Sequence, residues 1–165
     1  VFFGRASAQW QDSYTPDDAS IGNNFVIAPI ENDKGSSVGH DLAVGDFNGD
    51  GIKDLAVSTY GRISSDNNND YDGAISIYWG GRGSWPLTMT RDDLTDFYGI
   101  IFFTESYNAS LGGNIEAIPD LNGDGFDELL ASTNKNRLDN VSDDLDEEEL
   151  YTLYGRENWV ITLGM

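Results

Sequence analysis

The chain has no cysteine and one histidine, His40. Without thiols there are no disulfides, no thiolate zinc sites and no cysteine nucleophile. A lone histidine rules out a paired-imidazole metal site, and no nucleophile-elbow pattern accompanies His40 to build a triad. Basic residues are scarce: 9 Lys and Arg stand against 29 Asp and Glu, a formal charge of −20. Nucleic acid would repel such a chain rather than release counterions to it, and an anionic membrane surface would do the same. Long apolar runs are missing too, and no stretch approaches the roughly 20 residues of a membrane-spanning helix. Neither a nucleic-acid partner nor membrane insertion is therefore expected. What remains is an acidic chain of 165 residues with 12% aromatics, enough for a real core and too aromatic for disorder.

Much of the acidity is organised in two nine-residue loops. The first is Asp46-Phe-Asn48-Gly-Asp50-Gly51-Ile52-Lys-Asp54 and the second Asp120-Leu-Asn122-Gly-Asp124-Gly125-Phe126-Asp-Glu128. Each puts oxygen-bearing side chains at positions 1, 3, 5 and 9, with Gly at position 6. A hard cation such as Ca²⁺ takes six to eight oxygens at about 2.3–2.6 Å, and this spacing supplies them. The position 7 carbonyls of Ile52 and Phe126 add one oxygen each, and the glycine permits the tight bend. Unneutralised, the carboxylates repel one another by roughly 1–4 kcal/mol per pair at about 4 Å. Two Ca²⁺ sites are expected, one per loop. The EF-hand opens in the same way but requires Glu at position 12, where Val57 and Ala131 stand here. Short apolar runs flank both loops (Leu42-Ala-Val44, Leu55-Ala-Val57, Ile115 to Ile118, Leu129-Leu130-Ala131), so each loop joins two strands rather than two helices.

A second marker keeps step with the loops. Phe3-Gly4-Arg5…Trp10, Trp79-Gly80-Gly81-Arg82…Trp85 and Tyr154-Gly155-Arg156…Trp159 are versions of one aromatic-Gly-Arg-Trp turn. Repetition at this length indicates stacked supersecondary units. Each unit offers four strand candidates: Asp41 to Phe47, Asp54 to Tyr60, Gly73 to Gly80 and Phe97 to Glu105 in one. The next offers Asn114 to Leu121, Glu128 to Thr133, Leu150 to Gly155 and Trp159 to Leu163. The start of the chain supplies strands near Val1 to Phe3 and Phe25 to Ile30. Four antiparallel strands per repeat make a β-propeller blade. The expected architecture is all-β: residues 1–35 as the second half of a preceding blade, 36–110 as a blade with the first loop, and 111–165 as a blade with the second. About two and a half blades cannot close a ring, so a longer protein, or further chains, is expected to complete it.

Ser37-Val38-Gly39…Ala43-Val-Gly45-Asp46-Phe-Asn48-Gly-Asp50-Gly51…Asp54-Leu55-Ala-Val57 resembles the FG-GAP repeat of integrin α-subunit propellers and related bacterial secreted proteins. Leu111-Gly112…Asp120-Leu-Asn122-Gly-Asp124-Gly125…Glu128-Leu129-Leu130 is similar to it as well. The resemblance implies a seven-bladed, calcium-containing propeller, extracellular or at the cell surface, used for adhesion, ligand recognition or assembly. It implies a protein or carbohydrate partner and no catalysis. The sequence departs from the family where Ser58-Thr-Tyr-Gly61 and Ser132-Thr-Asn-Lys135 replace the usual Gly-Ala-Pro, and where Glu128 replaces Asp at position 9. Similar propellers also occur in some polysaccharide lyases and beside a phospholipase domain, so a part in a larger secreted enzyme is the alternative. A structural subunit of a surface filament or sheath is a third reading. The acidic connections 61–72 and 134–149 read as solvated loops or as recognition surfaces. Trp10, Trp85 and Trp159 could stack on sugars, but their shared place in the repeat reads as packing at a blade turn, and Arg5, Arg82 and Arg156 read as structural in the same way.

Overall fold

The computed structural model describes residues 25–28, 37–60, 73–82, 86, 88–90, 93–95, 97–103, 111–133, 149–157 and 159. The first aromatic-Gly-Arg-Trp copy (Phe3 to Trp10), Trp85, the strand expected near Val1, the body of the strand expected from Trp159 and the acidic connections 61–72 and 134–148 lie outside the described residues. Among those described there is no α-helix.

Nine strands follow in order: β1 (Val26–Ile27), β2 (Ser37–Gly45), β3 (Asp54–Tyr60), β4 (Ala74–Tyr78), β5 (Thr88–Met89), β6 (Gly99–Phe103), β7 (Leu111–Ile118), β8 (Glu128–Thr133) and β9 (Leu150–Leu153). β2, β3, β4 and β6 form a four-stranded antiparallel sheet in that order. β7, β8 and β9 repeat the first three strands of the pattern as a second antiparallel sheet. β3 and β8 begin and end where their alternation predicts. β2 and β7 start several residues earlier than expected and stop short of their loops. Both carry a register shift, between Val38 and Leu42 and between Leu111 and Ile115. Each shift contains a glycine with positive φ, Gly39 at 79° and Gly112 at 87°, and four residues of β2 or β7 stand against two of the partner strand, the excess being absorbed as a bulge. Ser58 and Ser132 stand opposite, and their Oγ atoms accept the displaced N–H groups of Asp41 and Asn114 at 2.9 and 3.0 Å.

The two sheets stack face to face. Ala43, Phe47, Ala56, Ile75, Ile77, Trp79 and Ile100 of the first meet Leu111, Ile115, Leu129 and Ala131 of the second. Each fully buried Ile, Leu or Phe stabilises by about 1.5–3 kcal/mol relative to exposure. The approach is close: a Cβ on Gly73 would stand 1.8 Å from the Leu111 carbonyl oxygen. On its other face the first sheet buries Val57 and Tyr78 under Phe25 and Met89. There β1 and β5 pair in parallel through two residues each, a pairing the sequence pattern did not predict. Covered on both faces, β4 is buried at all five positions. The repeated turn packs as expected: Trp159 lies against Trp79 and Phe102 of the first sheet, with ring centroids 6.2 and 5.4 Å away.

Candidate metal centre

Both acidic loops sit at the same end of their sheets, as hairpin tips between β2 and β3 and between β7 and β8. The chain turns there through Gly49, Gly51, Gly123 and Gly125, all at positive φ. In the first loop the side chains at positions 1, 3 and 5 fold inward onto the loop's own N–H groups. Gly51 donates to Asp46 Oδ2 at 2.9 Å, Asp50 to Asn48 Oδ1 at 3.0 Å, and Ile52 to Asp50 Oδ1 at 2.8 Å. The second loop repeats two of these bonds, Asp124 to Asn122 Oδ1 at 2.9 Å and Phe126 to Asp124 Oδ1 at 3.1 Å. Asn48 and Asn122 also donate to Asp50 and Asp124, at 3.3 and 2.9 Å. Asp120 is the exception. Its backbone has φ of 32°, and among the described residues its carboxylate takes no N–H from the loop.

Position 9 is the first residue of the following strand in both copies, and both carboxylates are buried, Asp54 at 1% and Glu128 at 0% exposure. Asp54 Oδ2 accepts the N–H of Phe47 at 3.0 Å and Oδ1 that of Gly80 at 2.8 Å. Burial pushes the Asp54 carboxyl up to about 6; the two N–H groups oppose this, and the charges of Asp50 and Asp46 add to it. Three carboxylates of the first loop thus sense one another across its bend. Glu128 Oε2 accepts the N–H of Leu121, the equivalent of Phe47. Its Oε1, and Asp46 Oδ1 in the first loop, are buried with no hydrogen-bond partner. Such oxygens carry a desolvation cost unless something positive meets them.

Among the described residues no group of three or more His, Cys, Asp and Glu side chains forms a metal cage by itself. The donor set on offer is mixed instead: carboxylates, one carboxamide oxygen and a main-chain carbonyl at Ile52 or Phe126 in each loop. That mixture of oxygens, without nitrogen or sulfur, suits a hard cation.

Two residues that motif reading passed over belong to this end of the molecule. Lys53 and Asp127 hold position 8 of the two loops and pair with each other at 2.7 Å. Asp127 Oδ2 also accepts the N–H of Asp46 at 2.7 Å, and its own N–H donates to the Asp46 carbonyl at 3.0 Å. Burial pushes the Asp127 carboxyl up, but the Lys53 ammonium and the N–H groups of Asp46 and Asp120 outweigh it and hold it below the ordinary carboxylate range. The Phe47 carbonyl accepts the Arg156 N–H at 3.0 Å and Trp159 Nε1 at 3.2 Å. A charge of opposite sign at the same loop position one repeat away was the signal available in the sequence.

Residues 38–78, running from β2 through the first loop and β3 into β4, match the family model described as the FG-GAP repeat. This segment is an FG-GAP repeat. FG-GAP repeats form β-propeller blades, and the four-stranded sheet β2-β3-β4-β6 has the blade arrangement. The strands on either side of each loop set the FG-GAP loop apart from a helix-flanked EF-hand. FG-GAP repeats are typically non-catalytic propeller elements and are commonly extracellular. No helix among the described residues is long and apolar enough to cross a membrane. No curated protein matches the chain.

Proposed function

We propose that this chain is a calcium-binding segment of an extracellular β-propeller, in which Ca²⁺ rigidifies the loop of each blade. The observation that carries this reading is the pair of buried, unpartnered oxygens, Asp46 Oδ1 at position 1 of the first loop and Glu128 Oε1 at position 9 of the second. A bound Ca²⁺ would neutralise the loop carboxylates and draw their free lone pairs together. Asp46, Asn48, Asp50, Asp54 and the Ile52 carbonyl would hold one ion. Asp120, Asn122, Asp124, Glu128 and the Phe126 carbonyl would hold the other. The loops are exposed at their tips, as weak extracellular sites are, and such sites operate near 10⁻⁴–10⁻³ M, roughly.

The rigid stack then serves as a platform for a protein or carbohydrate ligand, in adhesion, recognition or assembly. Further blades would complete the ring. Leu42 and Val44 of β2 point away from β7 and are 57% and 59% exposed. A neighbouring inner strand on that side would cover them as β7 covers Ala43.

Calcium titration of the chelator-stripped chain tests the reading. Two ions per chain should bind, with a rise in Tm worth about 2.7 kcal/mol per site at a hundredfold excess over Kd. Asp50→Ala should remove one ion and Asp124→Ala the other. A flat calorimetric trace and an unchanged Tm at millimolar calcium would overturn it.

A further inference from the structure

We propose that Asp127 is a positioning residue that couples the two loops, so that a cation in either one raises the affinity of the other. The inference rests on the calcium reading above and goes beyond it, since independent sites would satisfy that reading equally well.

Asp127 immediately precedes Glu128 of the second loop, yet its polar groups are engaged with the first. Its Oδ2 takes the Asp46 N–H at 2.7 Å and its N–H gives to the Asp46 carbonyl at 3.0 Å, so both main-chain groups of the first loop's leading ligand are fixed by one residue of the second. Lys53, inside the first loop, closes the contact from the other side at 2.7 Å. The Asp127 carboxylate therefore bridges positions 1 and 8 of the first loop.

Packing keeps it there. A Cβ on Gly155 would stand 2.4 Å from the Asp127 carbonyl oxygen and 3.0 Å from that of Phe47, so residue 127 has little room to drift. With the main chain at 127 already packed, drawing Glu128 onto a cation would order the Asp127 side chain, and through its bond the Asp46 N–H, before the first loop binds. The first loop would then spend less ordering entropy on its own cation. Linkage makes the effect reciprocal.

The test is calorimetric calcium titration of the full chain and of the loop-silenced variants Asp50→Ala and Asp124→Ala. Coupling predicts that silencing either loop weakens the other by about fivefold or more, and by the same factor in both directions. In an Asp127→Asn background, silencing one loop should leave the other unchanged. Asp127→Glu, which keeps the charge but moves it off the Asp46 N–H, should behave likewise and decides the matter if Asp127→Asn does not fold. Loop-silenced variants that bind with wild-type affinity would overturn the coupling alone. Coupling that survives both Asp127 variants would remove Asp127 from it. No calcium bound by any variant would overturn the calcium reading and this inference together.

Discussion

The loop at 46–54 is gripped from two sides, whereas the loop at 120–128 is held mainly from within. Asp54 has both carboxylate oxygens on main-chain N–H groups, one of them at the end of β4. Glu128, with its longer arm, engages one N–H and leaves Oε1 bare. The second sheet supplies Asp127, Arg156 and Trp159 to the first loop. Among the described residues the first loop reaches the second through Asp127, by Lys53 and the Asp46 main chain. Two copies of one motif thus differ in how their position 9 carboxylates are held because of where they stand in the stack. A like difference separates the third strands of the two sheets: β4 of the first is buried at all five positions, while β9 of the second leaves Leu150 at 69% and Tyr151 at 42% exposure.

The most damaging change should be Gly73→Ala, at the seam that lets the second sheet grip the first. The added methyl would meet the Leu111 carbonyl at 1.8 Å, backbone against backbone. We expect a loss of roughly 3 kcal/mol or more in urea unfolding, with the two sheets no longer melting together. Gly123→Ala in the second loop meets open space and should cost only the strain of its φ of +81°, about 1–2 kcal/mol. Equal losses would mean that the seam is softer than it looks.

Alkali should next separate the two sheets. Burial pushes the Tyr78 hydroxyl up to about 12, Ser76 partly offsets this, and the charge of Asp93 adds to it. The unfolded chain ionises this group near 10, so folding favours the protonated form. Its contribution is intact below pH 10 and is lost as pH rises from about 10 to 12, up to ~3 kcal/mol. Leu153 holds the corresponding place in the second sheet and has nothing to titrate. Tyr78→Phe should flatten the alkaline limb of the stability profile and remove one late-ionising hydroxyl from the tyrosinate absorbance.

Opposite signs are expected from the isosteric pair at position 9 when a chelator is present. Glu128→Gln removes a buried anionic oxygen that lacks a partner, and should stabilise the metal-free chain by about 1–3 kcal/mol. Asp54→Asn removes an acceptor from Phe47 or Gly80 and should destabilise it by a similar amount. Urea midpoints with and without calcium check both, and calcium should reverse the Glu128→Gln gain. Effects of the same sign would show the two loops to be equivalent.

Much of this was legible in the chain because the loop spacing and the strand alternation agree. Position 9 opens β3 and β8, and both strands end where their apolar alternation gives out at Tyr60 and Thr133. The starts of β2 and β7 were misjudged, since a bulge breaks the two-residue period at Gly39 and Gly112, and alternation is the only guide a single sequence offers there. β1 falls within the strand expected at Phe25 to Ile30, whereas β5, two residues long, is too short to carry a pattern, and so their pairing could not be read. At the two loops, the acidic positions could be located because their spacing recurs. Lys53 and Asp127 offered only their opposite charges at position 8, because that position faces the neighbouring repeat and its pairing exists only once the sheets are stacked.

The smallest effect should come from Lys53→Met, which strips the ion pair while leaving Asp127 on the Asp46 N–H. The Lys53 side chain, whose pairing with Asp127 is the main cause of its raised pKa, is 61% exposed, so the lysine end of the pair lies in water although Asp127 is largely covered. Exposed pairs contribute about 0.2–1 kcal/mol, so the variant should lose no more than that at low ionic strength. The difference from wild type should vanish near 1 M salt, where the screening length falls to about 3 Å. A loss that persists in high salt would assign the effect to the packing of the lysine's methylene stem. A loss as large as that of Asp127→Asn would mean that charge, rather than the grip on the Asp46 main chain, ties the enclosed loop to its neighbour.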